Sequence, residues 1–193
     1  MSPELPEALR VALQVIDVLD DLGVRYHVGG SYASSIHGIP RQTQDIDLVV
    51  ALPAGLAARL VELLRASFYV DEQAVHDAVE RRSSVNVIHL ESGIKVDLFL
   101  QGTGPFDREE FGRARPELVQ AEPERRVVVK TAEDTILRKL QWYRRGGEVS
   151  ERQWSDIIGI LKTQGTSLDR PYMLRWAREL AVDDLLAAVL ASI

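Results

Sequence analysis

The sequence predicts an α/β (α+β) protein in which a small mixed sheet is flanked by helices and followed by a helical C-terminal portion. Short apolar runs with the period of strands alternate with amphipathic stretches over the first two thirds of the chain. A hairpin pattern lies near residue 92, and helical periodicity alone continues from residue 131. We therefore expect a sheet-bearing domain over residues 1–130 and a helical portion over residues 131–193 packed against it.

The first half of the chain alternates between helices and strands. Ser2 and Pro3 are suited to the cap and first turn of a helix, which Gly23 ends. The run from Ile46 to Ala51 is almost continuously apolar and is expected to form a strand buried on both faces. The other predicted elements are a strand over 25–29, a helix over 31–37 and a helix over 53–67.

The second half begins with a hairpin and ends with helices. Residues 84–90 and 95–100 form the hairpin around Glu91-Ser92-Gly93, and a loop follows over 101–105. Thr131 with Asp134, and Ser150 with Gln153, are typical of helix N-termini. The remaining predicted elements are a short helix over 108–113, a strand over 127–130, and helices over 131–145, from 150, over 169–180 and over 182–191.

Composition excludes several classes of function. The chain has 23 basic and 29 acidic residues, a net charge of −6, which argues against a non-specific grip on nucleic acid. It has no cysteine, so disulfides, thiolate zinc sites and cysteine nucleophiles are excluded. No secretory signal or membrane-spanning run is visible, and we expect a cytoplasmic protein that does not bind a membrane.

Three aspartates are candidate metal ligands. Asp45 and Asp47 lie two residues apart on a strand and so point to one side, although two solvated aspartates at a strand entrance would look the same. Asp97 lies in the apolar run 94–100, where a carboxylate is costly unless a salt bridge, for example to Lys95, or a metal compensates it. If the two strands are neighbours, the three carboxylates suit one or two magnesium ions.

A glycine turn precedes these aspartates. Gly29, Gly30 and Ser31 lead into a short helix, whose N-terminus offers free N–H groups to a phosphate. The alternative is an ordinary turn with Ser31 as the N-cap. Arg41 is either an electrostatic partner for phosphate or for the carboxylates, or a loop arginine without a role.

The order and spacing of these motifs resemble the DNA polymerase β-like nucleotidyltransferase superfamily. The resemblance rests on Gly29-Gly30-Ser31, Asp45-Ile46-Asp47 and Asp97, and small prokaryotic members, including AbiEii-type toxins, are the most similar. It implies the nucleotidyltransferase fold, with the catalytic domain in residues 1–130. It also implies that the Gly-Ser turn holds the triphosphate of an NTP, and that the three acids hold magnesium, with two ions expected, and act in catalysis.

The C-terminal portion resembles AbiEii-type proteins more loosely. Those proteins have a Lys-Leu pair, an arginine and then an aspartate on the next helix, an order matched here by Lys139-Leu140, Arg144 or Arg145, and Asp156. Lys139 could neutralise phosphate charge from the edge of the packed face, or it could be a solvated lysine. Asp156 is an accessory site candidate, and an i−4 pair with Arg152 would explain it equally well.

The hypothesis from the sequence is a magnesium-dependent nucleotidyltransferase that moves an NMP from an NTP to a hydroxyl acceptor. The resemblance leaves tRNA, a protein and a small molecule as acceptors, with a toxin or an antibiotic-modifying enzyme as the role. The alternative is a non-catalytic nucleotide-binding module of a two-protein system. A cognate antitoxin or a second copy of the chain are the candidate protein partners.

Overall fold

The computed structural model describes residues 5–193, so the predicted cap at Ser2 and Pro3 lies outside the described residues. The α/β class, with a mixed sheet and flanking helices, is confirmed. The chain divides into two compact units. The first contains the chain up to Gly29 and Thr43–Val129, and the second contains Gly30–Gln42 and Lys130–Ile193. The second unit therefore includes a segment that a division at residue 130 assigns to the sheet-bearing domain.

The first unit is built on a seven-stranded sheet with the order β3-β4-β5-β2-β1-β7-β6. The β2–β5 and β1–β7 pairs are parallel, and the other four pairs are antiparallel. The strands are β1 (Tyr26–Val28), β2 (Ile46–Val50), β3 (Phe68–Tyr69), β4 (Ser84–His89), β5 (Lys95–Leu100), β6 (Arg115–Gln120) and β7 (Arg125–Val129).

The core lies against one face of this sheet. Helix α1 (Glu7–Asp21) contacts β2, β5 and helix α3 (Ala57–Leu64), and helix α4 (Glu72–Arg81) packs on β4. Alternate residues of β2 are fully buried on this side, whereas Asp47 and Val49 on the other side are only half-buried. The prediction that β2 is buried on both faces is therefore wrong, because the face that carries Asp47 is not packed as core.

Several elements of the first unit escape sequence patterns. The two residues of β3 are too few for a period, and α4 is recognisable mainly by its N-cap, where Asp71 accepts a hydrogen bond from Ala74 N. The edge strand β6 is charged and partly exposed. Helix α5 (Pro105–Arg113) begins three residues before its predicted start. Its N-cap is Gly104, whose backbone N donates a hydrogen bond to the Asp107 carboxylate at 2.8 Å.

The second unit is helical. The predicted caps are confirmed, since Thr131 accepts a hydrogen bond from Asp134 N and Ser150 accepts one from Gln153 N. Among residues 5–193, no helix combines the length and apolar character that a membrane crossing requires. The helices of this unit are α2 (Gly30–His37), α6 (Ala132–Arg145), α7 (Glu151–Gln164), α8 (Arg170–Glu179) and α9 (Asp183–Leu190).

Helices α2 and α7 approach closely at Gly38, just after α2. A Cβ atom on Gly38 would lie 2.8 Å from the backbone N of Ile160 and 3.0 Å from the backbone C of Gly159. Backbone atoms cannot move aside as a side chain can, so we expect Gly38→Ala to destabilise the protein by about 1–3 kcal/mol, measured by urea unfolding. Gly112→Ala is the control, because a Cβ there meets nothing within 4 Å. Equal stability of the two variants would contradict the prediction.

Candidate functional site

Two of the predicted metal ligands lie side by side on the sheet. Strands β2 and β5 are parallel neighbours, and Asp47 is in register with Asp97. Residues in register on neighbouring strands point to the same side, here the half-buried side opposite α1. Asp45 is exposed and immediately precedes β2. The structure thus brings Asp47 and Asp97 together in the first unit, with Asp45 two residues from Asp47.

The pKa of the Asp97 carboxyl shows that this group interacts with Asp45. Burial raises the pKa of Asp97, the negative charge of Asp45 raises it further, and Lys95 only partly offsets both effects. A salt bridge to Lys95 therefore does not account for this carboxylate. The carboxylates of Asp45 and Asp97 therefore repel each other, and a bound cation would lower this repulsion.

The carboxylates fit a magnesium ion in chemistry and charge. Oxygen ligands are what Mg²⁺ prefers, and it usually keeps water and substrate phosphates in its coordination shell. Among residues 5–193, no group of three or more His, Cys, Asp or Glu side chains is already arranged so that it could hold a metal ion.

The glycine turn occupies the boundary of the two units. In the first unit, Gly29 N donates to the Asp47 carbonyl oxygen at 2.8 Å. In the second unit, Gly30 begins α2 with a φ of +51°, a left-handed conformation that favours glycine. Ser31 lies inside the first turn of α2, so the alternative that Ser31 is the N-cap is wrong.

A polar cluster in the second unit joins four of the residues that the sequence singled out. Arg41 donates two hydrogen bonds to the Asp156 carboxylate, from Nε at 3.0 Å and Nη2 at 3.1 Å. Arg41 Nη2 also donates to Ser31 Oγ at 2.5 Å, and Lys139 Nζ donates to Asp156 Oδ2 at 2.8 Å. We call these residues the Asp156 cluster. Arg41 is therefore not a loop arginine without a role in the structure.

The Asp156 cluster is largely buried. The side chains of Asp156 and Lys139 are 9% and 8% exposed, so Lys139 is not a solvated helix lysine. Burial opposes ionisation of Asp156, but the hydrogen bonds and charges of Arg41 and Lys139 outweigh it and lower the pKa of the carboxyl. Within the described chain, Asp156 pairs with these two residues, and the alternative explanation, an i−4 pair with Arg152, is wrong.

Sequence reasoning missed two residues beside these groups. Gln153 accepts a hydrogen bond from Lys139 Nζ at 3.1 Å. Asn86 on β4 lies directly opposite Asp97 on β5. The predicted hairpin did not contain the signal for Asn86, because counting outward from Glu91-Ser92-Gly93 pairs Asn86 with Leu98, one residue away from the partner that the structure shows.

Comparisons with known proteins bear on the fold. No protein-family model matches the sequence, and no curated protein matches it. Among solved structures, the chain is similar to an antigenic nucleotidyltransferase-like protein from Paracoccidioides brasiliensis, with 19% identity and a TM-score of 0.59 over 98% of this chain and 95% of that one. The fold is that of the nucleotidyltransferases.

Two antibiotic-modifying enzymes share this nucleotidyltransferase fold. The lincosamide adenylyltransferase LnuA, solved with lincomycin, has 13% identity and a TM-score of 0.52 over 82% of this chain and 98% of that one. ANT(2")-Ia, solved with adenylyl-2"-tobramycin, has 14% identity and a TM-score of 0.50 over 95% and 97%. At these identities the likeness shows the fold, and the activity has to be argued from the residues.

Proposed function

We propose that this chain is a magnesium-dependent nucleotidyltransferase that moves an NMP from an NTP to a hydroxyl acceptor. The observation that carries the proposal is the register of Asp47 with Asp97 on neighbouring parallel strands of a nucleotidyltransferase fold. Asp45 acts electrostatically on the same group. A carboxyl whose pKa is raised by burial and by a second carboxylate is typical of a functional site.

The metal-binding role belongs to Asp45, Asp47 and Asp97, with two magnesium ions expected. Bound magnesium would offset the charge that develops on the phosphate oxygens as pyrophosphate leaves. The three carboxylates would fix the metal ions, and with them the reacting groups, in position. Positioning and charge stabilisation account for much of the rate enhancement in phosphoryl transfer.

Asp97 also suits a proton acceptor. Its raised pKa makes the ionised Asp97 carboxylate a stronger base than an ordinary carboxylate. In the proposed step, the acceptor oxygen bonds to the α-phosphorus, the bond from that phosphorus to the bridging oxygen breaks, and pyrophosphate leaves with the bond's electron pair. The hydroxyl proton passes to the Asp97 carboxylate.

The triphosphate-binding role is proposed for Gly29, Gly30, Ser31, Arg41 and Lys139. The first N–H groups of α2 have no partners within the helix and favour an anion. In the Asp156 cluster, the cationic groups of Arg41 and Lys139 are both held by the Asp156 carboxylate, and cationic groups of this kind are typical ligands of a phosphate. Asp156 is proposed to hold Arg41 and Lys139 in position rather than to react.

The acceptor class remains part of the proposal. LnuA and ANT(2")-Ia were solved with an antibiotic and with an adenylylated antibiotic, which supports a small molecule as the first candidate to test. The AbiEii-type assignment, with tRNA or a protein as acceptor and an antitoxin as partner, stays a prediction from the sequence.

The test is nucleotide transfer itself. The protein is incubated with magnesium and each α-labelled NTP in the presence of lincomycin, tobramycin, bulk tRNA, or no added acceptor. We expect the label to reach one of these acceptors or the protein itself, and EDTA to abolish the transfer. Calorimetry that detects NTP binding without transfer to any of them would favour the non-catalytic module and contradict the proposal.

A further inference from the structure

The sheet extends beyond Asp97 with an accessible polar and apolar surface. On β4, Asn86 is opposite Asp97 and Ile88 is opposite Lys95, and on β3, Tyr69 is opposite Ile88. These side chains lie on the same side of the sheet as Asp97. Asn86 and Lys95 are exposed, and Tyr69 is 59% exposed.

The hydrogen-bond pattern brings Asn86 especially close to Asp97. His89 N donates to Ile94 O at 2.8 Å, and Leu100 N donates to Ser83 O at 2.9 Å. Bonded and non-bonded pairs alternate along an antiparallel ladder, so the Asn86–Asp97 pair is non-hydrogen-bonded. In such pairs the side chains are nearest, with Cβ atoms about 5 Å apart.

Asparagine is a poor choice for this strand on structural grounds. Asn is depleted in strands, where Val, Ile and Thr are favoured, and β4 is an internal strand between β3 and β5. Departures from local preference are expected where a residue serves a ligand. The amide can both donate and accept a hydrogen bond, as binding a hydroxyl group requires, and it adds no charge beside Asp97.

The neighbouring residues supply a wall for the body of a ligand. Ile88 lies two positions along β4 from Asn86, and the exposed Tyr69 ring lies on the next strand. The spacing of strand positions puts Tyr69 about 8 Å from Asn86 at the level of Cα. A sugar or nucleoside ring spans this distance, and aromatic rings commonly receive such rings face to face.

From this surface, we propose that Asn86 binds the attacking hydroxyl of the acceptor beside Asp97, and that Tyr69 and Ile88 receive the ring that carries this hydroxyl. The acceptor is therefore a hydroxylated ring compound, and β3 and β4 form its subsite. This inference rests on the proposed transferase function and adds a position for the second substrate.

The test separates the two substrates kinetically. Transfer from α-labelled ATP is measured for Asn86→Ala and Tyr69→Ala with whichever of lincomycin, tobramycin or tRNA the wild type labels. We expect the KM for that acceptor to rise about 10-fold in each variant, because each variant loses one hydrogen bond or one ring contact to the acceptor. The KM for ATP should be unchanged. Ser84→Ala is the control, because Ser84 faces Phe99 on the same side of β4, and it should change neither KM.

The outcomes distinguish this inference from the function on which it rests. An unchanged acceptor KM in Asn86→Ala, with the label still transferred, overturns the acceptor subsite and leaves the transferase intact. A rise in the KM for ATP alone also overturns it, because Asn86 would then serve the nucleotide. If the wild type transfers the label neither to an added acceptor nor to itself, the transferase and this inference are both overturned, whereas labelling of the protein alone overturns this inference only. Thermal unfolding of each variant identifies a loss of fold, in which case Asn86→Ser replaces Asn86→Ala.

Discussion

Asp47→Asn is expected to reduce kcat for nucleotide transfer by about 1,000-fold or more, because a charge that stabilises the reacting phosphates is removed from the site. The fold should be almost unaffected. Asparagine has nearly the same shape, and the substitution removes one of two negative charges that lie in register on β2 and β5. Transfer of α-labelled ATP measures the first effect, and thermal unfolding measures the second.

Glu91→Gln is the matched control for Asp47→Asn. Glu91 is an exposed acid in the turn between β4 and β5, so the variant has the same change of charge in the same unit. It should retain full activity. A large loss of stability in Asp47→Asn with unchanged magnesium binding would contradict the metal-binding role of Asp47, because it would mean that this carboxylate serves the fold instead.

The chemistry of the carboxylate site was largely visible in the sequence because its determinants are local. The two-residue spacing of Asp45 and Asp47 predicts that they lie on one side of a strand, and the apolar run around Asp97 indicates a strand inside the sheet. Local sequence patterns did not show that β5 would be the neighbour of β2. Pairing strands separated by about 50 residues depends on how helices α3 and α4 pack, and α4 was not predicted at all.

The Asp156 cluster was less predictable because its contacts are distant in sequence. Asp156 and Arg41 are 115 residues apart, and the helical i−4 rule favoured Arg152, which is nearby in sequence but not its partner. A long-range ion pair leaves no periodic signal. The only clue was the position of Asp156 on its helix. Its neighbours Ile157 and Ile160 are fully buried. An acid next to the buried face of a helix needs a counter-charge.

Asp156→Asn should be the most destabilising single substitution considered. It leaves the charges of Lys139, which is 8% exposed, and Arg41, which is 24% exposed, without their carboxylate. Removing one partner of a buried pair costs about 3 kcal/mol, which urea unfolding at neutral pH would measure. Glu151→Gln on the same helix is the control, because Glu151 is exposed. We also expect weaker ATP binding, since Asp156 positions the two proposed phosphate ligands.

The effect of Asp156→Asn should depend on pH in one direction. The pKa of Asp156 is below its ordinary value of 3.8 in the folded protein, so its contribution to the free energy of unfolding is complete above that value and disappears as the pH falls through the folded pKa. The stability difference between wild type and variant should therefore be constant at neutral pH and shrink in strong acid. A difference that stays constant into strong acid would mean that the carboxylate charge is not what holds Arg41 and Lys139. The double variant Asp156→Leu with Lys139→Met should recover part of the lost stability. Replacing both members of a buried ion pair with apolar side chains costs less free energy of unfolding than removing one member and leaving the other charged.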